Sequence, residues 1–281
     1  ATDASKVALM VNMMSVFSSA FTILFFFWSS TLLLRNLVSK FKACTSTDLI
    51  AILLASFIGA LSFTFTDSFW YNAVEAEVYA MATLLISLLF WLALRWEQEM
   101  HSPRGNKWLL LICLVVGLSF GVHFMALLTI PSIGLLYFFK NYKTITVKNF
   151  IIANIVVVAI LLFIFKMLLP LTMSLFGKTE VFMVNTFGLP FDSGTIFMTL
   201  VLIAFFYFGL TFTRKKNLPQ YHTLLLCILF IFIGFSTWMM LPIRANANVV
   251  INENKPSDAR EVLAYYNREQ YPQNPLFCGP Q

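Results

Sequence analysis

Trp108-Leu-Leu-Leu-Ile-Cys-Leu-Val-Val-Gly117-Leu-Ser-Phe-Gly121-Val-His123-Phe124 opens an apolar region that runs on to Phe139, and its reading decides the fold. Basic residues stand at both ends, with Arg95, Arg104 and Lys107 before it and Lys140, Lys143 and Lys148 after it. A single crossing would put the two clusters on opposite sides of a membrane, against the preference of Lys and Arg for the cytoplasmic side. The region has 32 residues. That is enough for two passes of ~15 residues each, below the usual ~17–25. Gly117, Gly121 and His123 mark the place where the chain turns back. A backbone turn at that depth must be shielded by protein or water, so a short broken helical hairpin is expected there.

Working outward, further apolar runs occupy 7–34, 49–65 and 78–94 before the hairpin, and 150–169, 195–212 and 223–241 after it. With the hairpin this makes eight passes. Twelve of the nineteen Lys and Arg residues then fall in 35–48, 95–107, 140–149 and 213–222, all on one side. That side is expected to be cytoplasmic. Trp96 and Trp108 would sit at inner span ends, Trp70 and Trp238 at outer ends, as an aromatic belt. At 59% hydrophobic and 11% charged residues, the chain is excluded from the soluble class, which carries ~25% charged residues. The unbroken apolar runs lack the alternation of a membrane β-barrel. The fold class is therefore an all-α polytopic membrane protein. The +6 net charge belongs to cytoplasmic loops, and no nucleic-acid partner is inferred. Cys44, Cys113, Cys227 and Cys278 are scattered, which suggests neither a disulfide framework nor a zinc site.

The domain division is a transmembrane helical domain at 1–241 and the start of an extracytoplasmic soluble segment at 242–281. A polar loop is expected at 177–194. In the soluble segment Asp258 and Glu261 form a capping-box pair. They open a short helix whose apolar side is Val262, Leu263, Tyr265 and Tyr266, and Pro272 is expected to stop it.

The polar groups concentrate in Asp67-Ser-Phe-Trp-Tyr-Asn-Ala-Val-Glu-Ala-Glu-Val-Tyr79, an acidic outer lip without Lys or Arg. Glu75 and Glu77 share a side if the backbone is extended, whereas helical geometry aligns Tyr71, Glu75 and Tyr79 instead. A partly buried carboxylate is the usual form of a general base or a metal ligand, so a divalent cation is a candidate cofactor and none is assigned. His123 at the hairpin tip is either a satisfied structural group or a contact to phosphate or sugar. Arg244, just past the last span, is either a headgroup anchor or a bidentate phosphate clamp. Lys166 is read as snorkelling to the interface.

The motif 67–81, the break Gly117-Leu-Ser-Phe-Gly-Val-His-Phe-Met125 and the tail pieces Arg244-Ala-Asn-Ala-Asn248 and Tyr265-Tyr-Asn-Arg-Glu-Gln-Tyr271 together resemble a bacterial membrane family long called domain of unknown function 2723. That family is classed with the C-type-fold glycosyltransferases and is similar to protein O-mannosyltransferases. The resemblance implies a membrane enzyme moving a sugar, mannose by analogy, from a polyprenyl-phosphate donor to a protein or glycan acceptor. It places the active site at the periplasmic face of a bacterial inner membrane. On this reading Asp67, Glu75 and Glu77 are the catalytic candidates; Tyr71, Tyr79, His123, Arg244 and Asn246 are the substrate-binding ones. The family's decisive acid lies in a first outer loop, so the chain is read as a piece lacking its first span and that loop, and as inert by itself. A secondary transporter and a membrane scaffold with an acidic lip are the alternatives.

Overall fold

A computed structural model describes residues 4–247 and 249–272; Asn248, Cys278 and Gln281 lie outside the described residues. The elements are α1 (Ala4–Ser39), α2 (Ser46–Thr64), α3 (Asp67–Val74), α4 (Val78–Glu99), α5 (Asn106–Ser119), a 3-10 turn (Phe124–Thr129) and α6 (Ile130–Asn141). They continue as α7 (Val147–Leu162), a π-turn (Phe163–Leu168), α8 (Leu169–Phe187), α9 (Ser193–Lys215), α10 (Pro219–Phe235), α11 (Met240–Ala245) and α12 (Ala259–Asn267), with a second 3-10 turn at Ser236–Met239. No strand occurs among the described residues. Among the described residues, seven helical stretches are long and apolar enough to cross a membrane, and α5 is a shorter apolar helix. The chain is an all-α polytopic membrane protein.

The decisive region has the form its flanking charges require. α5 has 14 residues, a rise of ~21 Å, and it ends in tight turns. Gly121 N–H donates to Leu118 O at 3.0 Å, Val122 N–H to Ser119 O at 3.1 Å, and His123 N–H to Ser119 O at 2.8 Å. The 3-10 turn and α6 follow, and all three pieces pack on α4.

The chain divides into two compact units, one of Ala1–Val157 with Leu226–Ser236, the other of Val158–Leu225 with Thr237–Gln281. In the first, α4 is the hub, with Ala82, Leu89 and Ala93 fully buried. α1 meets it with hydroxyl residues, for Ser15, Ser18, Ser19 and Thr22 are buried at helical spacing. Small residues let membrane helices approach closely, where large ones face lipid. Thr22 Oγ1 satisfies itself on Ser18 O at 2.8 Å. α5 meets the C-terminal part of α10 more closely still. A Cβ at Gly117 would collide with the Ile231 carbonyl, and one at Gly234 with the Leu114 carbonyl. Phe120 and Phe235 close that seam edge to face at 5.8 Å.

The carboxylates at the basic ends of these helices are neutralised. Glu99 pairs with Arg95 at 2.7 Å and Lys107 at 3.1 Å, Glu97 with Lys140 at 3.2 Å, and Asp48 with Lys42 at 2.7 Å. The aromatic belt is corrected here: Trp96 is buried and stacks on Tyr137 at 5.7 Å. Trp108 lies under the Arg95 and Lys107 side chains at 5.0 and 4.8 Å.

In the second unit the expected polar loop at 177–194 is mostly helix. α8 runs to Phe187, and only residues 188–192 turn, with Gly188 at φ 63° as left-handed cap. Polar residues inside 177–187 have helical work to do. The Glu180 carboxylate accepts from Asp192 N–H at 2.6 Å and from Thr195 N–H at 2.8 Å, which satisfies free amides at the start of α9. Gly177 gives room to Arg260 of α12, and Gly194 to the Glu180 backbone. α12 opens with the expected capping box between Asp258 and Glu261. It ends at Asn267 because Arg268 takes a left-handed conformation, φ 57°, before Pro272 is reached.

Candidate functional site

The acidic lip belongs to the first unit and is not a loop. After α2 the chain closes on Phe65, and Thr66 precedes α3, whose first turn is formed by Trp70 N–H on Thr66 O at 2.9 Å. Asn72 Nδ2 donates back to Ser68 O at 2.7 Å. α3 stops at Val74 because Glu75 turns extended, at φ −92° and ψ 147°, and Glu77 follows at φ −123° and ψ 163°. Glu75 and Glu77 are thus outside both helices, in a stretch that bends at 75–77.

Tyr71 still reaches Glu75 from the helix before it. The Glu75 carboxylate hydrogen-bonds the phenol and holds its ionisation above the ordinary range, since a carboxylate beside it disfavours the phenolate. Glu75 is half-buried, while Asp67 and Glu77 are exposed. Among the described residues, none of these three carboxylates makes an ion pair. That sets them apart from Asp48, Glu97 and Glu99 at the other helix ends.

Tyr79, in the first turn of α4, brings the lip to the hairpin break. Its ring and the His123 imidazole have centroids 5.8 Å apart. His123 is extended, at φ −162°, and its Nδ1 accepts from Met125 N–H at 3.1 Å, capping the 3-10 turn. With Nδ1 as acceptor the ring proton resides on Nε2, so the free edge of the neutral imidazole is a donor. The structure thus pairs Tyr71 with Glu75 inside the lip and brings Tyr79 against His123, which lies 44 residues further along the chain.

Arg244 and Asn246 belong to the other unit. Arg244 is exposed in the last turn of α11. Asn246 Nδ2 is committed to the backbone, donating to Pro242 O and Ser257 O at 2.9 Å each. Asn252 Nδ2 likewise holds Ala245 O at 2.9 Å. The Arg-Ala-Asn motif therefore staples a loop, and it is the guanidinium that stays available to a ligand.

Two features escaped the sequence reading. Phe65 and Trp70 stack at 5.7 Å and 19° on the exposed lip; their five-residue spacing is no helical repeat, because Phe65 precedes α3. Cys113 and Cys227 are neighbours across the α5–α10 seam, between runs more than a hundred residues apart. For a metal, no group of three or more His, Cys, Asp or Glu converges among the described residues.

A family model described as the Protein O-mannosyl-transferase TMEM260 N-terminal domain matches residues 1–146. No curated protein matches the chain, and no solved structure does. The matched residues include the whole lip, the break and His123.

Proposed function

Because the chain belongs to the Protein O-mannosyl-transferase TMEM260 N-terminal domain family, we propose that its lip is the active site of a membrane glycosyltransferase that moves mannose from a polyprenyl-phosphate donor to a hydroxyl of a protein or glycan acceptor. One observation carries this reading. The carboxylates at the basic helix ends are paired with Lys or Arg, whereas Asp67, Glu75 and Glu77 are left without a cation. Unneutralised carboxylates in a lip that Tyr79 joins to the His123 imidazole are suited to taking a proton from one group while the imidazole donates to another.

In the proposed reaction the acceptor oxygen bonds to the sugar's anomeric carbon and the bond to the lipid phosphate breaks. The hydroxyl proton passes to Glu75, which Tyr71 orients. Glu77 and Asp67 serve as additional acceptors for sugar hydroxyls or hold a divalent cation against the phosphate. His123 Nε2–H donates to phosphate or sugar, and the Tyr79 and Tyr71 rings give the sugar apolar faces. Arg244 is proposed as a phosphate contact of its own unit. The basic loops face the cytoplasm, so the lip faces the periplasm if the membrane is a bacterial inner one.

The test supplies the protein, as its host makes it, with radiolabelled mannose on polyprenyl phosphate in one arm and on a nucleotide in the other. Transfer from the lipid-linked sugar alone is expected. Transfer from the nucleotide sugar alone, or from neither, contradicts the proposal.

A further inference from the structure

At the basic ends of the first unit's helices an apolar groove of about 410 Å³ opens between α1, α2, α4 and α5. α1 lines it with Trp28 and Leu32, α2 with Leu53, α4 with Trp91 and Arg95, and α5 with Trp108. Three of the chain's six tryptophans therefore meet at one place. Trp28 lies against Trp91 at 5.3 Å, and Trp91 against Trp108 at 5.8 Å. Thr31 lines the groove too, but its hydroxyl donates to Phe27 O at 2.8 Å and offers nothing further to a polar guest. Trp28 and Leu53 are exposed, so the slot is open to the surrounding lipid. Its indole walls suit a hydrocarbon chain near a membrane interface.

A surplus of positive charge stands over the mouth. Trp28, Leu32 and Arg35 follow one another at helical spacing on α1, which sets Arg35 ~10 Å beyond Trp28 toward the basic loop. Arg95 is likewise one turn past Trp91 on α4. Asn36 and Gln98 join the two helices at this level, 3.4 Å apart. Glu99 pairs with Arg95 and with Lys107. Arg35 is exposed and makes no ion pair among the described residues. Three cations against one carboxylate leave two positive charges without a partner.

We propose that this groove is a binding site for an anionic phospholipid of the leaflet on the basic side, with an acyl chain among the three indoles and the phosphate on Arg35 and Arg95. Basic recesses between membrane helices seat anionic headgroups in this way. A guanidinium meets a phosphate through two parallel hydrogen bonds. A phosphatidylcholine carries the same phosphate, but its choline cation adds to the surplus instead of leaving it balanced. The site is separate from the acidic lip, because Tyr79 stands in the first turn of α4 and Arg95 follows 16 residues later, ~24 Å along the helix.

Quenching of tryptophan fluorescence by lipids with brominated chains tests the site, since bromine quenches the indoles it touches. The whole protein is placed in phosphatidylcholine nanodiscs that hold a minor share of either brominated phosphatidylglycerol or brominated phosphatidylcholine. Stronger quenching by the phosphatidylglycerol is expected, and Trp28→Phe is expected to remove part of that difference. Arg35→Gln should weaken the preference about fivefold, the effect of one Lys or Arg beside an anionic lipid. Arg214→Gln, which alters an exposed cation of another basic loop, should change it by less than about twofold. Equal quenching by the two lipids overturns the proposal and leaves the groove to bulk lipid or to a second copy of the chain. A preference that survives in Arg35→Gln, that Arg214→Gln lowers as much, or that Trp28→Phe leaves unaltered overturns it too. The double variant Arg35→Gln/Arg95→Gln should abolish the preference. If it does not accumulate because Glu99 loses a partner, Arg35→Gln decides, as it breaks no ion pair.

Discussion

The imidazole of His123 and the phenol ring of Tyr79 lie 5.8 Å apart between centroids, which ties the turn of a short helical hairpin to the acidic lip at the start of α4. The His123 ring has two edges with separate duties. Nδ1 caps the 3-10 turn through Met125 N–H, and Nε2–H is left for a ligand. His123→Asn keeps a good cap and removes the ligand edge; His123→Ala removes both. A lost cap costs about 0.5–2 kcal/mol. Thermal unfolding in detergent is therefore expected to separate Ala from Asn, while sugar transfer falls in both variants. Full transfer by His123→Asn would show that the ring only caps.

Tyr71 gives a pH signature. Its phenol ionises above the ordinary 10.0 because Glu75 hydrogen-bonds it. A group whose folded value is raised contributes stability below its unfolded value, and that contribution is lost as pH rises through the folded one. The window is thus alkaline, starting near pH 10.0 and extending upward. Burial raises Tyr266 and the Glu253 carboxylate raises Tyr271 as well, so titration of phenolate absorbance should show several late-ionising tyrosines, one of which disappears in Tyr71→Phe and moves down in Glu75→Gln. An unchanged titration in Glu75→Gln contradicts the pairing.

The α5–α10 seam makes a stability prediction. Backbone meets backbone at Gly117 and Gly234, so neither has room for a Cβ. Overpacking of this kind costs about 1–3 kcal/mol. Gly117→Ala and Gly234→Ala should each lower the unfolding temperature, whereas Gly59→Ala, which has open space, should not. Equal behaviour of all three would mean that the seam is looser than described.

One turn before that contact on α5, Cys113 neighbours Cys227 of α10. Diamide, which takes two electrons and two protons from a thiol pair, should join them into one intramolecular disulfide and leave Cys44 free. Peptide mapping without reduction reads the result. Recovery of both thiols unmodified would move the two helices out of register.

The break within 108–139 was legible because Lys and Arg at both ends weigh against a single crossing, and the chain does divide there into α5, the 3-10 turn and α6. The capping box at Asp258 was legible for an equally local reason. What failed depended on distant partners. Gly177, Lys178, Glu180 and Asn185 look like loop residues, yet Gly177 makes room for Arg260 and Glu180 caps α9. Trp96 has a belt position by sequence, but Tyr137 covers it. Within the lip, the choice between helix and extended chain at 75–77 turned on where α3 ends, and no Gly or Pro marks that point. The candidate residues of the lip and break were all named from sequence. That Tyr79 touches His123 could not be, since it depends on how α4 packs against the turn.

The most direct test of the active-site reading is the pH–rate profile of mannose transfer from polyprenyl phosphate in the wild type, Glu75→Gln and Glu77→Gln. A general base contributes ~10²–10⁴-fold. Glu75→Gln is expected to fall by that amount and to lose the acidic limb of the profile, while Glu77→Gln falls less and keeps it. Wild-type rates and an intact acidic limb in both single variants and in the double variant would contradict the assignment of the lip as the site of proton transfer.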